Sequence, residues 1–272
     1  MKKLLFILVA ASLAVLSVSC KKDNPPKEKT PVPEPDAIDI GMILERADGT
    51  IYKLKWASFN LGASKEYEFG NYYAWGETEP KEDYSWGTYK YANGYNDKLT
   101  KYCVSFAADR WDVAGTPPDN QTKLLPSDDA AHVNLGGKWR MPTVEEWDAL
   151  VALRYNENYK LEWYMPVDEN GNEIIGANNA VTYCLKISMK NPPYNYILLP
   201  AARYREGTGW GTRGTNPSGF YWTSSLYKDN ANTYSFSVPN VYVCNASGAP
   251  QANLSNSESR CCGLSIRPVC EE

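Results

Sequence analysis

Apolar and polar positions alternate most clearly in residues 136–154. Trp139 lies in a stretch where apolar and polar residues alternate, which is typical of a short strand with one buried face. Thr143 and Glu146 have the spacing of a capping box, in which each side chain satisfies a backbone N–H of the other residue. Apolar residues, including Trp147, then recur at helical spacing. The pattern predicts a strand, a turn and an amphipathic helix, with both tryptophans buried in one core.

Short strands separated by tight turns are predicted along most of the remaining chain. Asp48-Gly49 and Asn170-Gly171 favour the left-handed angles of hairpin turns, within residues 43–56 and 167–175. Further strands are predicted at residues 184–189, 196–199, 220–225, 234–238 and 264–269, and a second helix is predicted around residues 98–106. Many short strands with one or two helices, and no repeat of fixed period, predict an α+β fold.

Residues 1–19 have the features of a signal peptide. A basic start at Lys2 and Lys3 precedes an apolar run that is too short to cross a membrane in the mature protein. The run ends in Ser17-Val18-Ser19-Cys20, which is typical of a bacterial lipobox, although serine stands where leucine is usual. We therefore expect Cys20 to be acylated. Ordinary secretion with an incidental cysteine is the alternative.

Residues 20–36 contain five prolines among charged residues and almost no apolar ones. Such a segment cannot bury enough apolar surface to fold, so a proline-rich tether is predicted. No second boundary of this kind follows, and residues 37–272 suffice for one large domain. The sequence therefore predicts an outer membrane lipoprotein with one folded domain, which faces either the cell surface or the periplasm.

The Trp-Arg-Met-Pro-Thr-x-x-Glu-Trp run at residues 139–147 resembles the signature of the Fibrobacter succinogenes major paralogous domain family. These are exported bacterial proteins similar to the C-type-lectin-like fold. Blocks that also resemble the family, in its order, occur at residues 47–56, 69–78, 198–205, 219–225 and 263–269. The resemblance implies a single C-type-lectin-like domain with many short antiparallel strands and one or two helices. A weaker resemblance links the run to formylglycine-generating enzymes.

Within these blocks, seven residues are expected to have structural roles. They are Trp75, Trp139, Arg140, Thr143, Trp147, Trp222 and Arg267. The tryptophans are expected in the core. For the two arginines, a catalytic role is the alternative to satisfying carbonyls or carboxylates around the core, which a guanidinium does with five donors.

Charge and cysteine content narrow the class of partner. The formal net charge is −4 and basic residues form no cluster, so neither nucleic acid nor anionic lipid is expected as a partner.

Apart from Cys20, the cysteines are Cys103, Cys184, Cys244, Cys261, Cys262 and Cys270. An even number in an exported chain predicts at least one disulfide, and the absence of Cys-x-x-Cys disfavours a zinc or dithiol site. If Cys261 and Cys262 lie on a strand, at most one faces the core.

Metal binding and hydrolytic catalysis are not expected. His132 is the sole histidine, it is expected in a loop or at the surface, and no Gly-x-Ser-x-Gly motif accompanies it. Residues 168–173 carry oxygen ligands, but a hairpin turn explains them, and the calcium-binding motifs of C-type lectins are absent. The carboxylates of Glu77, Asp128 and Asp129 are expected to be solvated. The sequence predicts neither a metal nor a cofactor.

The best candidate for a ligand site is the glycine-rich segment of residues 205–219. Trp210 offers a flat face to a sugar ring, and Arg205 and Arg213 can grip hydroxyls or carboxylates. Tyr221, shortly after the segment, is assigned to the same site. These residues predict a non-catalytic binding module for a glycan or a surface protein. The alternatives are a mobile loop with an incidentally packed tryptophan, a structural subunit without a small ligand, and an enzyme related to the formylglycine-generating group.

Overall fold

The computed structural model of the chain describes residues 31–176, 179–212, 217–226, 237–246 and 249–272. Side chains are described throughout these ranges except for Phe106 and residues 237–246, 249–251 and 253–256. The predicted signal peptide, Cys20 and most of the predicted tether lie outside the described residues. Within the described ranges, no helix is long and apolar enough to span a membrane.

The folded unit begins at Val32 rather than at Ala37, the start predicted from the sequence. Asp36 N donates a hydrogen bond to Ser58 Oγ (3.0 Å), and Ser58 N donates to Asp36 O (2.9 Å). Val32 packs against the core, and Glu34 accepts a hydrogen bond from Trp139 Nε1 (3.4 Å). The last residues of the predicted tether are therefore part of the domain, because the core supplies the partners that the segment lacks by itself.

Small antiparallel sheets and few helices make up the unit, which is α+β. The strands are β1 (Ala37–Glu45), β2 (Ile51–Ala57), β3 (Tyr159–Tyr164), β4 (Cys184–Met189), β5 (Tyr196–Pro200), β6 (Arg205–Glu206), β7 (Gly209–Trp210), β8 (Ser218–Trp222), β9 (Ser237–Ala246), β10 (Ala249–Ser259) and β11 (Val269–Glu271). The helices are α1 (Ala130–Leu135) and α2 (Val144–Ala152), with 3-10 turns at Trp86–Thr88, Ser105–Arg110, Pro126–Asp128 and Leu153–Tyr155. The sheets have the orders β1-β2-β11, β3-β4-β5, β10-β9-β8 and β6-β7.

The first predicted hairpin forms as the sequence indicates. Gly49 adopts a φ of +83°, and its N–H donates to Arg46 O (2.9 Å). Asp48 Oδ1 accepts a hydrogen bond from Thr50 N (2.9 Å), which completes the turn between β1 and β2. The predicted strand at residues 264–269 is wrong in its extent, since only Val269 belongs to a strand, β11. There β11 pairs with β2 and brings the end of the chain beside its first hairpin.

The predicted helix after Pro142 is present as α2, and its capping box forms. Thr143 Oγ1 accepts a hydrogen bond from Glu146 N (3.3 Å), and Glu146 Oε2 accepts one from Thr143 N (2.8 Å). Trp139 and Trp147 are both buried, but in separate clusters. The expectation of one shared core is wrong, because Trp139 packs with Ala57 and Cys270 while Trp147 packs with Trp56 and Leu150.

Removal of the capping hydroxyl tests the start of α2. Thr143→Ala is expected to lower the free energy of unfolding by about 1 kcal/mol, because the N–H of Glu146 loses its acceptor. Thr143→Ser retains the hydroxyl and serves as the control. Urea titrations of the three proteins provide the measurement, and equal midpoints for the alanine and serine variants would contradict the role of the hydroxyl.

Three tryptophans bridge the core through their indole N–H groups. Trp75 Nε1 donates to Thr223 O (2.9 Å), Trp222 Nε1 donates to Tyr73 O (2.7 Å), and Trp147 Nε1 donates to Trp222 O (3.1 Å). Each ring is fully buried. Because a buried indole requires an acceptor, these bonds set the position of β8 relative to the segments on either side of it.

Arg140 and Arg267 lie in different surroundings, and both hold distant segments together. Arg140 donates to both carboxylate oxygens of Glu146 (2.8 and 2.5 Å) and to Glu271 (2.6 Å). Burial opposes the charge of Arg140, but these hydrogen bonds outweigh it and raise its pKa. Arg267 is fully buried and donates to Asn60 Oδ1 (2.9 Å), Ala57 O (2.9 Å) and the carbonyl of Leu198. Burial lowers the pKa of Arg267 to about 10, so its guanidinium is charged at neutral pH.

The helix predicted around residues 98–106 is wrong. Tyr102 has a φ of +58°, which a helix cannot contain. The N–H groups of Tyr102 and Cys103 donate to the carboxylate of Asp119 (2.7 and 2.8 Å) instead of to helical carbonyls. The competing acceptor comes from a later segment, so local spacing did not reveal it. The sequence also missed α1, β3 and β10.

The cysteine pair and three carboxylates differ from expectation in their burial. Cys261 and Cys262 are both buried, because they lie in a turn after β10 rather than on a strand.

Glu77, Asp128 and Asp129 are buried rather than solvated. Glu77 Oε1 accepts from Lys81 Nζ (2.9 Å) and from the N–H of Lys90 (2.8 Å), Asp128 accepts from Tyr102 Oη (2.5 Å) and from Lys101, and Asp129 accepts two backbone N–H groups.

No disulfide is present among the cysteine side chains that the structure describes. Cys20 and the side chain of Cys244 lie outside that set. The formation of a disulfide in the exported protein therefore stays a prediction, which a count of reactive thiols in unreduced, denatured protein decides.

Candidate functional site

The segment that the sequence singled out begins with a short hairpin, which we name the Trp210 hairpin (Arg205–Trp210, comprising β6, a turn and β7). Its turn contains Gly207, which adopts a φ of +54°. Gly207 exchanges backbone hydrogen bonds with Tyr84 (2.8 and 3.1 Å), and Arg205 exchanges them with Gly263 (2.8 and 2.9 Å). The hairpin is thus joined to the rest of the domain by backbone hydrogen bonds at both ends of β6.

Close packing explains two of the glycines near the hairpin. A Cβ atom on Gly211 would lie 1.9 Å from Cζ of Tyr204, and one on Gly263 would lie 2.5 Å from Cε1 of Tyr84. Both distances are far below van der Waals contact, so the aromatic rings lie directly on bare backbone. The glycines therefore allow the hairpin to sit close to the aromatic core beneath it.

Trp210 lies on this hairpin with part of its ring exposed. Its ring and that of Tyr72 form a T-shaped pair, with 5.6 Å between ring centroids and an interplanar angle of 82°. Two guanidinium groups lie near the ring, with Cζ of Arg205 at 5.1 Å and Cζ of Arg203 at 5.8 Å from its centroid. A cation this close to an indole face is attracted to the π electrons. The result is an aromatic and cationic surface that is partly open to solvent.

Arg203 and Arg205 stabilise the hairpin by donating hydrogen bonds to backbone carbonyls. Arg203 Nη2 donates to Gly211 O (2.9 Å). Arg205 donates through Nε to Gly209 O (2.9 Å) and through Nη2 to Thr208 O (3.1 Å). In the part of the chain that the structure describes, Nη1 of each arginine makes no hydrogen bond. Both guanidinium groups are thus held in place by backbone carbonyls of the hairpin and of Gly211.

The structure brings together only part of the predicted site. Arg205 and Trp210 lie side by side, whereas Arg213 lies outside the described residues. The assignment of Tyr221 to the ligand site is wrong, because the residue is fully buried in the core. Its hydroxyl donates to Pro200 O (2.6 Å) and its ring packs against Trp147, so no face is left for a ligand.

Three contributors to this surface were missed from the sequence. Arg203 and Tyr72 contact Trp210, and Glu206 is exposed at the outer end of β6. Arg203 has a φ of +55°, which turns the chain just before β6. The positive φ of Arg203 interrupts the extended backbone, so the alternation rule for strands gave no signal for this contact. The contact of Tyr72 is long-range and left no local signal.

The other candidate catalytic group, His132, is part of α1. His132 Nδ1 lies 3.3 Å from Trp139 O, and its backbone N–H donates to Asp129 Oδ1 (3.0 Å). Burial raises the pKa of Asp129, which caps the helix through backbone contacts and does not orient the imidazole. Within the described ranges, no group of three or more His, Cys, Asp or Glu side chains is arranged to hold a metal ion.

The chain was compared with protein-family models, curated proteins and solved structures. No protein-family model, no curated protein and no solved structure matches this chain. The interpretation of the site therefore depends on the chemistry of the residues described above.

Proposed function

We propose that the chain is a cell-envelope lipoprotein whose C-type-lectin-like domain is a non-catalytic binding module for a glycan or a surface protein. The Trp210 hairpin is the binding site, and a glycan is the ligand that suits it best. The observation that carries the proposal is the partly exposed ring of Trp210 with two guanidinium groups beside it. The small antiparallel sheets and few helices of the described residues are compatible with the α+β class to which the proposed fold belongs.

The chemistry of a sugar ring matches this surface in two respects. One face of a pyranose presents C–H groups that pack against an indole. Its hydroxyl or carboxylate oxygens can accept from Nη1 of Arg203 and Arg205, and hydroxyl groups can donate to the exposed carboxylate of Glu206. Because the hairpin is fixed before a ligand arrives, little conformational entropy is lost on binding.

The lipid anchor is a separate part of the proposal. Cys20 is acylated, and the predicted tether then holds the domain at the outer membrane, on its outer or its periplasmic face. Mass spectrometry of the membrane fraction is expected to find a diacylated or triacylated N-terminal Cys20. A mature chain that starts elsewhere and is recovered from the soluble periplasm would contradict the anchor without touching the binding site.

The binding site is tested by replacing Trp210 after a glycan-array screen of the purified chain has identified a ligand. Trp210→Ala is expected to weaken binding by about 1–3 kcal/mol, a typical loss for an aromatic residue at the centre of a contact. Isothermal titration calorimetry provides the measurement. Because Trp210 also packs against Tyr72, a moderate loss of thermal stability is expected as well.

Trp111→Ala is the matched control, because Trp111 is also partly buried and lies in a different cluster. It is expected to leave the affinity unchanged. If Trp210→Ala remains folded and binds the identified glycan as tightly as the parent, the site lies elsewhere. An array without any glycan hit would leave a surface protein as the proposed ligand.

A further inference from the structure

A cavity of about 230 Å³ opens to solvent on a part of the domain that the Trp210 hairpin does not form. We name it the Tyr67 cleft (residues 67–70 on one wall, residues 174–176 and Thr182 on the other). Tyr67 and Phe69 supply aromatic rings, Ile174 and Ile175 supply the facing aliphatic surface, and Glu68 supplies a carboxylate. The cleft thus combines two apolar walls with one charged group.

The walls of the cleft are held in place by close contacts and backbone bonds. Phe69 lies so near Gly176 that a Cβ atom there would be 2.4 Å from Cζ of the ring. The second wall is closed by hydrogen bonds from Gly176 N to Ala180 O (2.8 Å) and from Thr182 N to Ile174 O (2.7 Å). The space between the walls is therefore part of the folded structure.

The carboxylate of Glu68 is oriented by one of its two oxygens. Oε2 accepts hydrogen bonds from Ser64 N (2.8 Å), Ser64 Oγ (3.0 Å) and Lys65 N (3.2 Å). Among the described residues, Oε1 accepts none. A carboxylate that is fixed through one oxygen leaves the other free to accept from a donor that enters the cleft.

The surroundings of the cleft favour a cation. Glu66, Glu169 and Glu173 lie on the segments that form its two sides, and the chain has a formal net charge of −4. Lys65 provides a local example, because its Nζ lies 5.8 Å from the centroid of the Tyr67 ring. The interaction with Tyr67, and to a smaller extent with Glu68 and Glu169, raises the pKa of Lys65.

The same arrangement of ammonium and tyrosine recurs on the adjoining sheet. Lys186 Nζ, on β4, lies 5.4 Å from the centroid of Tyr164 and 4.6 Å from that of Tyr196. Tyr196 Oη in turn donates to Glu66 Oε1 (3.2 Å), which connects this sheet to the residue that precedes the wall of the cleft. Tyrosine rings and carboxylates on this side of the domain therefore already accommodate two alkylammonium groups of the chain itself.

We propose that the Tyr67 cleft binds a lysine side chain of a partner protein. The four-carbon stem lies between the aromatic wall and Ile175, and the ammonium donates to Oε1 of Glu68. Apolar walls suit the stem, because lysine buries its methylenes while its charged end retains polar partners. The cleft is separate from the Trp210 hairpin, so this inference does not depend on the proposed glycan site.

Two probes that share one stem test the proposal on the full chain in detergent. N-acetyl-lysine amide carries the ammonium, and N-acetyl-norleucine amide has the same four carbons without it. In ligand-observed NMR titrations, the lysine probe is expected to bind at least about tenfold more tightly, as a hydrogen bond to a charged group implies. Equal affinities of the two probes would overturn the proposal.

Two variants assign the effect to Glu68. Glu68→Gln still accepts from Ser64 and Lys65 through its amide oxygen but has no charge, so it is expected to abolish the preference for lysine. Glu145→Gln, which removes an exposed carboxylate on α2, is the matched control and is expected to retain it. A Glu68→Gln protein that melts like the parent and keeps the preference would overturn the proposal.

Lys65→Gln tests the same site in the opposite direction. The substitution removes the Lys65 ammonium, which competes for Tyr67. The lysine probe is therefore expected to bind more tightly, while the affinity of the norleucine probe is unaffected. Weaker binding of the lysine probe to this variant would contradict the proposed position of the ammonium.

Discussion

Trp147→Ala is expected to lower the free energy of unfolding by about 3–5 kcal/mol, the range for truncating a large aromatic side chain in a packed core. Trp147 is fully buried, and its ring lies 4.6 Å from that of Trp56 and 5.7 Å from that of Tyr221, centroid to centroid. Removing it leaves a cavity beneath α2 and deprives Trp222 O of its donor. Both consequences act on the same hydrophobic cluster, so the loss in the free energy of unfolding should be large.

Chemical denaturation followed by circular dichroism provides the measurement. Trp147→Phe keeps most of the apolar volume and is expected to lie between the parent and the alanine variant. Tyr155→Ala is the control, since Tyr155 follows α2 closely but is 80 % exposed, and it should leave stability nearly unchanged. A Trp147→Ala protein as stable as the parent would show that α2 does not bury this face.

Arg267→Lys is expected to destabilise the domain by about 3 kcal/mol, although the formal charge is preserved, because buried acceptors that lose their donors cost about 1–3 kcal/mol each. The guanidinium of Arg267 reaches Asn60, Ala57 and Leu198 at once. An ammonium is a point donor on a flexible stem and cannot serve three acceptors that surround a planar group. All three acceptors are neutral, so burial also disfavours the charged form of the lysine.

Arg46→Lys is the matched control for this substitution. Arg46 pairs with Glu271 at the surface, where solvent replaces lost hydrogen bonds. The stability of the Arg46→Lys protein should therefore remain close to that of the parent. Denaturant midpoints of both variants provide the comparison. Equal effects at the two positions would show that the three buried acceptors find other donors when Arg267 is replaced.

Local sequence patterns predicted the elements whose hydrogen bonds close within a few residues. The turn at Gly49 and the capping box of Thr143 and Glu146 both form, because each donor lies within four residues of its acceptor. Strand β4 matches its predicted range, since apolar residues alternate there with polar ones. The helix expected around residues 98–106 failed because Asp119, a distant acceptor, competes for the same N–H groups.

The candidate site was predicted only in part, because some of its contacts join residues that are far apart in the sequence. Arg205 and Trp210 lie on one hairpin, so their proximity follows from their spacing. Tyr72 and Tyr84 come from a segment more than a hundred residues earlier, and their contacts with the hairpin are set by tertiary packing. The assignment of Tyr221 failed because every residue of β8 is buried in the fold.

The sequence by itself determined the α+β character of the domain, its main turns and the helix after Pro142, because backbone hydrogen bonding and apolar spacing act over short distances. Only the tertiary structure decided which polar side chains are buried. Asp128 and Asp129 look like surface residues in the sequence, yet both are buried with hydrogen-bond partners in other elements of the fold. Burial of a charge depends on whether such partners surround it in three dimensions, and no local pattern records that.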